Sequence, residues 1–88
     1  MPGFEFDPAK SAENLAKHGI DFEAAQAIWL DPRRIEVPAR TTDEPRWMLI
    51  GQIEGRCWSA VVTYRGERVR VISVRRAREG EVAIYEGH

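Results

Sequence analysis

The sequence predicts an α+β fold: two N-terminal helices packed on one face of an antiparallel sheet, with a short C-terminal helix. Three observations lead there. Apolar residues recur at three- and four-residue spacing before Pro32 and alternate with polar ones after it. Two glycine-containing dipeptides, Glu54-Gly55 and Arg65-Gly66, separate three strand-like runs. The chain has 88 residues, 43% of them hydrophobic and 31% charged, which is material for one core. Residues 1–88 are therefore expected to form a single domain.

The elements follow in order. "FEFD" alternates and reads as a short strand at a sheet edge. Asp7 is an N-cap and Pro8 suits the first helical position, where its missing N–H is not needed. The helix "PAKSAENLAKH" ends at Gly19, with a thin apolar stripe of Ala12, Leu15 and Ala16. A second helix starts at Asp21 as N-cap, stacks Phe22, Ala25, Ile28 and Trp29, and stops before Asp31-Pro32. "RRIEVPA" is a strand interrupted by Pro38 and so belongs at an edge. A polar loop, "TTDEP", leads into "RWMLIGQI", "CWSAVVTY" and "RVRVISV". The last segment forms a short helix after Arg76, weakened by Gly80, which brings Glu81 and Tyr85 towards Arg75.

Two-residue turns would set the register. A turn at Arg65-Gly66 pairs Tyr64 with Glu67, Val62 with Val69 and Ala60 with Val71. A turn at Glu54-Gly55 pairs Gly51 with Trp58 and Leu49 with Ala60. One face then collects Trp47, Leu49, Trp58, Ala60, Val62, Val69 and Val71 as a core. The other mixes Met48, Ile50, Gln52, Ser59, Val61, Thr63 and Ile72 with Arg68 and Arg70.

Charge is unevenly distributed. The net value is −1, yet residues 1–31 hold two lysines against six acids, and residues 32–88 hold eleven arginines against eight acids. Between Arg65 and Arg78 there are six arginines and one acid, Glu67. Arginine is the cation suited to bidentate contact with phosphate, although a solvated strand face would show the same run. The single cysteine, Cys57, excludes an internal disulfide and a CxxC-type metal site, and reads as a packing residue in a reducing, cytoplasmic setting. No apolar run approaches membrane-spanning length and the first residues do not resemble a signal peptide, so no membrane association is expected. No metal-ligand cluster and no phosphate loop stand out, and neither metal nor cofactor is expected.

Arg65, Arg68, Arg70, Arg75 and Arg76, with Tyr64 and Tyr85 nearby, combine phosphate-neutralising and stacking groups as single-stranded RNA binding requires. Arginine also stabilises charge developing on a phosphorane, and Glu81, Tyr85 or His18 are groups able to move protons. An ion pair of Glu81 with Arg76 or Arg78 is the structural alternative. For Lys17-His18-Gly19, a helix end accounts for the tripeptide, while a histidine that titrates near neutrality is also a general acid or base.

The stretch "FEFDPAKSAENLAKHGIDFEAA" resembles the opening of BrnT-type toxins, through Phe6, Asp7, Lys10, Asn14, Lys17, His18, Gly19 and Phe22. The later part, "RWMLIGQI" and "VVTYRGERVRVISVRRAREGEVAIYE", is similar too, at Arg46, Gly51, Tyr64, Arg65, Arg70, Ser73, Arg75, Arg76, Glu81 and Tyr85 among others. The chain departs from the family in Val74, where alanine is usual, and in a final helix that is less basic and contains Gly80. The resemblance implies a RelE-like fold and the toxin of a type II toxin–antitoxin pair, a metal-independent endoribonuclease that blocks translation. It implies a BrnA-like antitoxin as partner in a heterotetramer, with operator DNA bound only through the antitoxin. Within this reading Arg70, Arg75, Glu81 and Tyr85 are the expected catalytic residues, Glu81 and Tyr85 as proton carriers. Tyr64, Arg65, Arg68, Arg76, Lys17 and His18 are the expected RNA contacts. A reading from another class is a non-catalytic module that binds an antitoxin-like partner or nucleic acid.

Overall fold

The structure, a computed structural model, describes residues 2–40 and 43–87. Thr41 and Thr42 of the expected polar loop lie outside the described residues. Strand β1 (Gly3–Glu5) leads into helix α1 (Pro8–His18) and a 3₁₀ helix (Ala24–Leu30). Strands β2 (Ile35–Pro38), β3 (Trp47–Ile53), β4 (Arg56–Arg65) and β5 (Arg68–Arg76) follow, and helix α2 (Glu79–Glu86) comes last. The class is α+β, with five strands in the order β1-β5-β4-β3-β2.

The sheet is mixed, which corrects the antiparallel expectation. β1 runs parallel to β5, pairing Phe4 with Val69 and Glu5 with Arg70. Alternation in "FEFD" reports a strand and its two faces. It carries no information on which partner the strand meets, or in which direction.

Helix α1 begins and ends as its sequence dictates. Asp7 Oδ1 accepts from the Ala9 amide at 2.9 Å, and Gly19, at φ 79°, takes the left-handed position that closes the helix onto the Leu15 carbonyl. Its buried face differs from the expected apolar stripe. Leu15 is 50% exposed, and Ser11 and Asn14 are buried. Asn14 Nδ2 donates to the carbonyls of Ile20 and Val74, and its Oδ1 accepts from the Val74 amide. β1 covers only Arg68 to Arg70 of the β5 edge. Further along, the Asn14 amide takes the place of a strand neighbour. Ser11 Oγ accepts from the Phe22 amide. Buried backbone groups need partners, and a short polar side chain at the right height meets that need better than alanine does.

The second helix is 3₁₀ rather than α and has Glu23, not Asp21, at its N-cap, although Asp21 Oδ1 accepts from the Ala24 amide at 2.7 Å. Ala25 and Ile28 are three apart, so a helix with three residues per turn aligns them, and Phe22 lies in the turn just before it. All three are buried in one cluster with Ile20, Leu49, Trp58, Ala60, Val62, Val69, Val71 and Val74. Trp29 is partly buried, edge-on to Phe4 at 4.9 Å.

The β3–β4 hairpin has the expected register, with Gly51 opposite Trp58 and Leu49 opposite Ala60. Glu54 (φ 50°) and Gly55 (φ 80°) both adopt the left-handed backbone of a two-residue turn. The β4–β5 hairpin is corrected. Its loop is Gly66-Glu67, with Gly66 at φ 62°, so Arg65 pairs with Arg68 and Val62 with Val71. A displacement by two residues leaves every side chain on its face. A β-bulge then follows: Val62 pairs with Val71 but Val61 pairs with Ser73, leaving Ile72 as the extra residue. One extra residue inverts the alternation. Beyond it Val74 enters the core opposite Ala60, and Arg75 lies opposite Ser59 on the second face.

Candidate functional site

The second face carries Ser59 and Val61 from β4, Arg68, Arg70, Ser73 and Arg75 from β5, and Ile50 from β3. Helix α2 lies against β3, and Ile50, Ser59 and Tyr85 are buried outside the main core cluster. The face is therefore closed at one end by α2 and lined by arginines towards the other.

At the closed end Arg75 and Glu81 form a bidentate pair, Nη1 to Oε1 and Nη2 to Oε2, both at 2.7 Å. Glu81 Oε1 also accepts from Ser59 Oγ at 2.8 Å and from the Arg78 amide at 2.9 Å, which caps α2. The Arg75 guanidinium holds the Glu81 carboxyl down at about 2 against the opposing effect of burial, with the Arg78 amide and Ser59 hydroxyl adding to the shift. In return Glu81 raises the Arg75 guanidinium. Both side chains are mostly covered, 25% and 15% exposed, so the pair is screened less than a surface one.

Tyr85 does not join them. Its hydroxyl donates to Asp31 Oδ2 at 2.6 Å, and that bond, with burial, pushes the phenol up to about 12. Asp31 also accepts from the amides of Gln52 and Arg33, and these bonds with Tyr85 outweigh burial and lower its carboxyl. Asp31 thus ties α2 to β3 and to the turn after the 3₁₀ helix.

At the open end Arg65 and Arg70 share Glu5, at 3.9 and 3.5 Å, and Arg65 approaches Glu44 at 3.8 Å. These contacts are long and partly exposed, and pairs of this kind contribute little to stability. Arg68 is exposed beside them. Arg70 also lines a cavity of about 160 Å³ with Lys10 and Arg46, opposite Asp7 and Glu44. A neighbouring cavity of about 200 Å³ joins Lys10, Lys17 and His18 of α1 to Ile72 and Ser73, the bulged stretch of β5.

The remaining candidates sit on the helix-bearing face. Tyr64, in register with core-facing Val69, donates its hydroxyl to the Glu36 carboxylate, and burial together with that anion pushes the phenol up to about 12. The Arg76 guanidinium stacks over Trp58, 5.6 Å from the ring centroid. The structure thus groups Arg65, Arg68, Arg70 and Arg75 on one face, reaches Lys17 and His18 around the β5 edge, and separates Tyr64 and Arg76 from them. Lys10, Arg46 and Ser59 are additions. Lys10 and Arg46 belong to the residues that carry the family resemblance, but nothing in their spacing places them beside Arg70. Ser59 meets Glu81 only because the bulge turns Arg75 to its side.

No curated protein is similar enough in sequence to bear on these residues. The model of a family described as ribonuclease toxin, BrnT, of type II toxin–antitoxin systems matches residues 6–81, a span that includes Asp7, Lys10, Asn14, Arg70, Arg75 and Glu81. With most of its length inside that match, the chain belongs to the BrnT family of type II toxin–antitoxin ribonuclease toxins.

Proposed function

We propose that this chain is a cytoplasmic toxin that cleaves RNA by internal transfer without a metal, and that its reacting phosphate sits on the second face at Arg75. The observation that carries this reading is the Arg75–Glu81 pair beside Ser59 and Ser73 on a face with further arginines. In such a reaction the RNA 2′-oxygen attacks phosphorus and loses its proton, while the bond from phosphorus to the 5′-oxygen breaks and that oxygen gains a proton. The products are a cyclic phosphate and a 5′-hydroxyl. Negative charge builds on the phosphorane oxygens, and a guanidinium fixed beforehand stabilises it without reorganisation at the moment of reaction.

Glu81 and Tyr85 take positioning roles in this reading rather than the proton-carrying ones expected of them. A carboxyl held at about 2 is a weak base, and both its oxygens are engaged. A buried phenol at about 12 that already donates to Asp31 is a weak acid. His18 is the candidate proton carrier. It is half-buried and shares a cavity with Ser73, next along the face from Arg75. Arg70 takes the neighbouring phosphate, with Arg65, Arg68 and Lys17 at the periphery. Tyr64 and Arg76, on the opposite face, are left to other contacts.

The fold is read as RelE-like, and the partner as a BrnA-like antitoxin that covers the second face in a heterotetramer and carries the operator-binding element. Half-buried Met48, Val61 and Ile72 beside the arginines give such a partner apolar contacts. The test is cleavage of a single-stranded RNA in EDTA by the purified chain and by Arg75→Ala and His18→Gln variants of confirmed fold. Cleavage by the wild type, lost in both variants, supports the reading. Cleavage that requires added metal refutes its metal-independent part. Full activity in the His18→Gln variant removes His18 from the mechanism. Inactivity of the wild type under every condition favours a non-catalytic binding module.

A further inference from the structure

Among the described residues, one buried side-chain polar atom lacks a hydrogen-bond partner. Arg46 Nε is buried and makes no hydrogen bond among the described residues. A buried guanidinium N–H left unpaired is costly, and its position calls for an explanation such as strain, a catalytic role or a bound ion. Arg46 immediately precedes Trp47 of β3, and it lines the 160 Å³ cavity together with Lys10 from α1 and Arg70 from β5. Three cations from three separate elements converge there. The same cavity holds two acids, Asp7, which caps α1, and Glu44, 3.8 Å from Arg65, so its cations exceed its acids by one charge. Arg70 keeps only a 3.5 Å contact with Glu5.

We infer that Lys10, Arg46 and Arg70 form a phosphate subsite for an RNA nucleotide that flanks the reacting one. The inference rests on the ribonuclease reading and deepens it. The cavity has room for one phosphodiester group. Arg46 and Arg70 supply two guanidiniums that line the cavity, and Lys10 adds a point charge from α1. Lys10 also belongs to the adjoining cavity of Lys17, His18, Ile72 and Ser73. An RNA strand therefore runs from Arg75, past Ser73 and His18, around the bulge at Ile72, and places a flanking phosphate against Arg46. Since phosphate contacts position a strand without reading its bases, this subsite sets register and affinity rather than sequence preference.

Two measurements test it. In isotope-labelled full-length protein, the Arg46 Nε–H resonance, assigned by its loss in Arg46→Lys, is followed during titration with inorganic phosphate. A saturable shift, weakened in Lys10→Ala, is expected, and no shift overturns the subsite. In the second, affinity is measured for a single-stranded RNA methylated at every 2′-oxygen, which binds but cannot be cleaved. Arg46→Lys is expected to weaken binding several-fold with the salt dependence kept. Lys10→Ala is expected to weaken it and lower the slope of log affinity against log salt by about 0.7, the value for one phosphate contact on a single strand. Unchanged affinity in both folded variants overturns the RNA assignment even if free phosphate binds. If the wild type cleaves no RNA but both measurements come out as expected, the ribonuclease reading fails and the subsite stands as a nucleic-acid contact.

Discussion

Arg75 and Glu81 meet through two parallel 2.7 Å contacts across the short turn between β5 and α2, and Glu81 at the same time caps that helix through the Arg78 amide. One carboxylate thus orients the guanidinium and starts the helix that covers it. Orientation of the candidate phosphate ligand and docking of the C-terminal helix are a single structural event.

The pair makes stability depend on acid in a defined window. The Glu81 carboxyl drops from an ordinary 4.5 to about 2 in the folded chain. A depressed carboxyl contributes stability that is fully present above its unfolded value and is lost as pH falls through the folded one. Urea denaturation of the wild type should therefore lose on the order of 3 kcal/mol between about pH 4.5 and pH 2 from this group. Glu81→Gln should be less stable at pH 7 and show a flatter profile across that window. Parallel profiles would show that Glu81 titrates normally.

Asn14→Ala should destabilise the chain by about 2–4 kcal/mol, because it strands the Val74 amide and two buried carbonyls, those of Ile20 and Val74. Leu15→Ala, on the exposed side of the same helix, should cost less than about 1 kcal/mol. Denaturant midpoints rank the two, and a reversed order would contradict the polar docking of α1.

Deletion of Ile72 removes the extra residue of the bulge. The alternation of β5 then becomes regular: Val71 and Val74 stay in the core, Ser73 and Arg75 stay on the second face, and each keeps its partner on β4. The expected result is a folded variant that unfolds cooperatively in urea, read by circular dichroism, less stable than the wild type by the contacts of half-buried Ile72. Loss of cooperative unfolding would refute the register.

Gly80 lies exposed in the first turn of α2, with open space where a Cβ would stand. Gly80→Ala should raise stability by about 0.5–1 kcal/mol through helix propensity, measured as a higher urea midpoint. A loss of stability would mean that the backbone there requires glycine.

Some of this architecture was legible because its causes are local. Asp7, Pro8 and Gly19 bound α1 through caps whose geometry spans a few residues. Glu54-Gly55 sets the β3–β4 register because the backbone of a two-residue turn admits few alternatives. Phe22, Ala25 and Ile28 were recognisable as core, but a spacing of three fits an α-helix as well as a 3₁₀ helix, so the type of the second helix was not. The resemblance to BrnT toxins was legible for the same reason: its motifs are contiguous in the chain.

What the sequence by itself determined is therefore the α+β class, the order of elements, the caps of α1, one hairpin register and the family. Only the tertiary structure decided that β1 runs parallel to β5, that α1 docks through Ser11 and Asn14, and that the bulge at Ile72 turns Arg75 towards Ser59 and Glu81. It also decided that Tyr64 and Arg76 leave the arginine face, and that Lys10 and Arg46 join Arg70. The physical reason is common to all of these. Hydrophobic period and capping chemistry act within a turn or a strand pair, whereas a partner's direction, one unpaired residue in a ladder, and the convergence of side chains from separate elements depend on contacts across the whole chain.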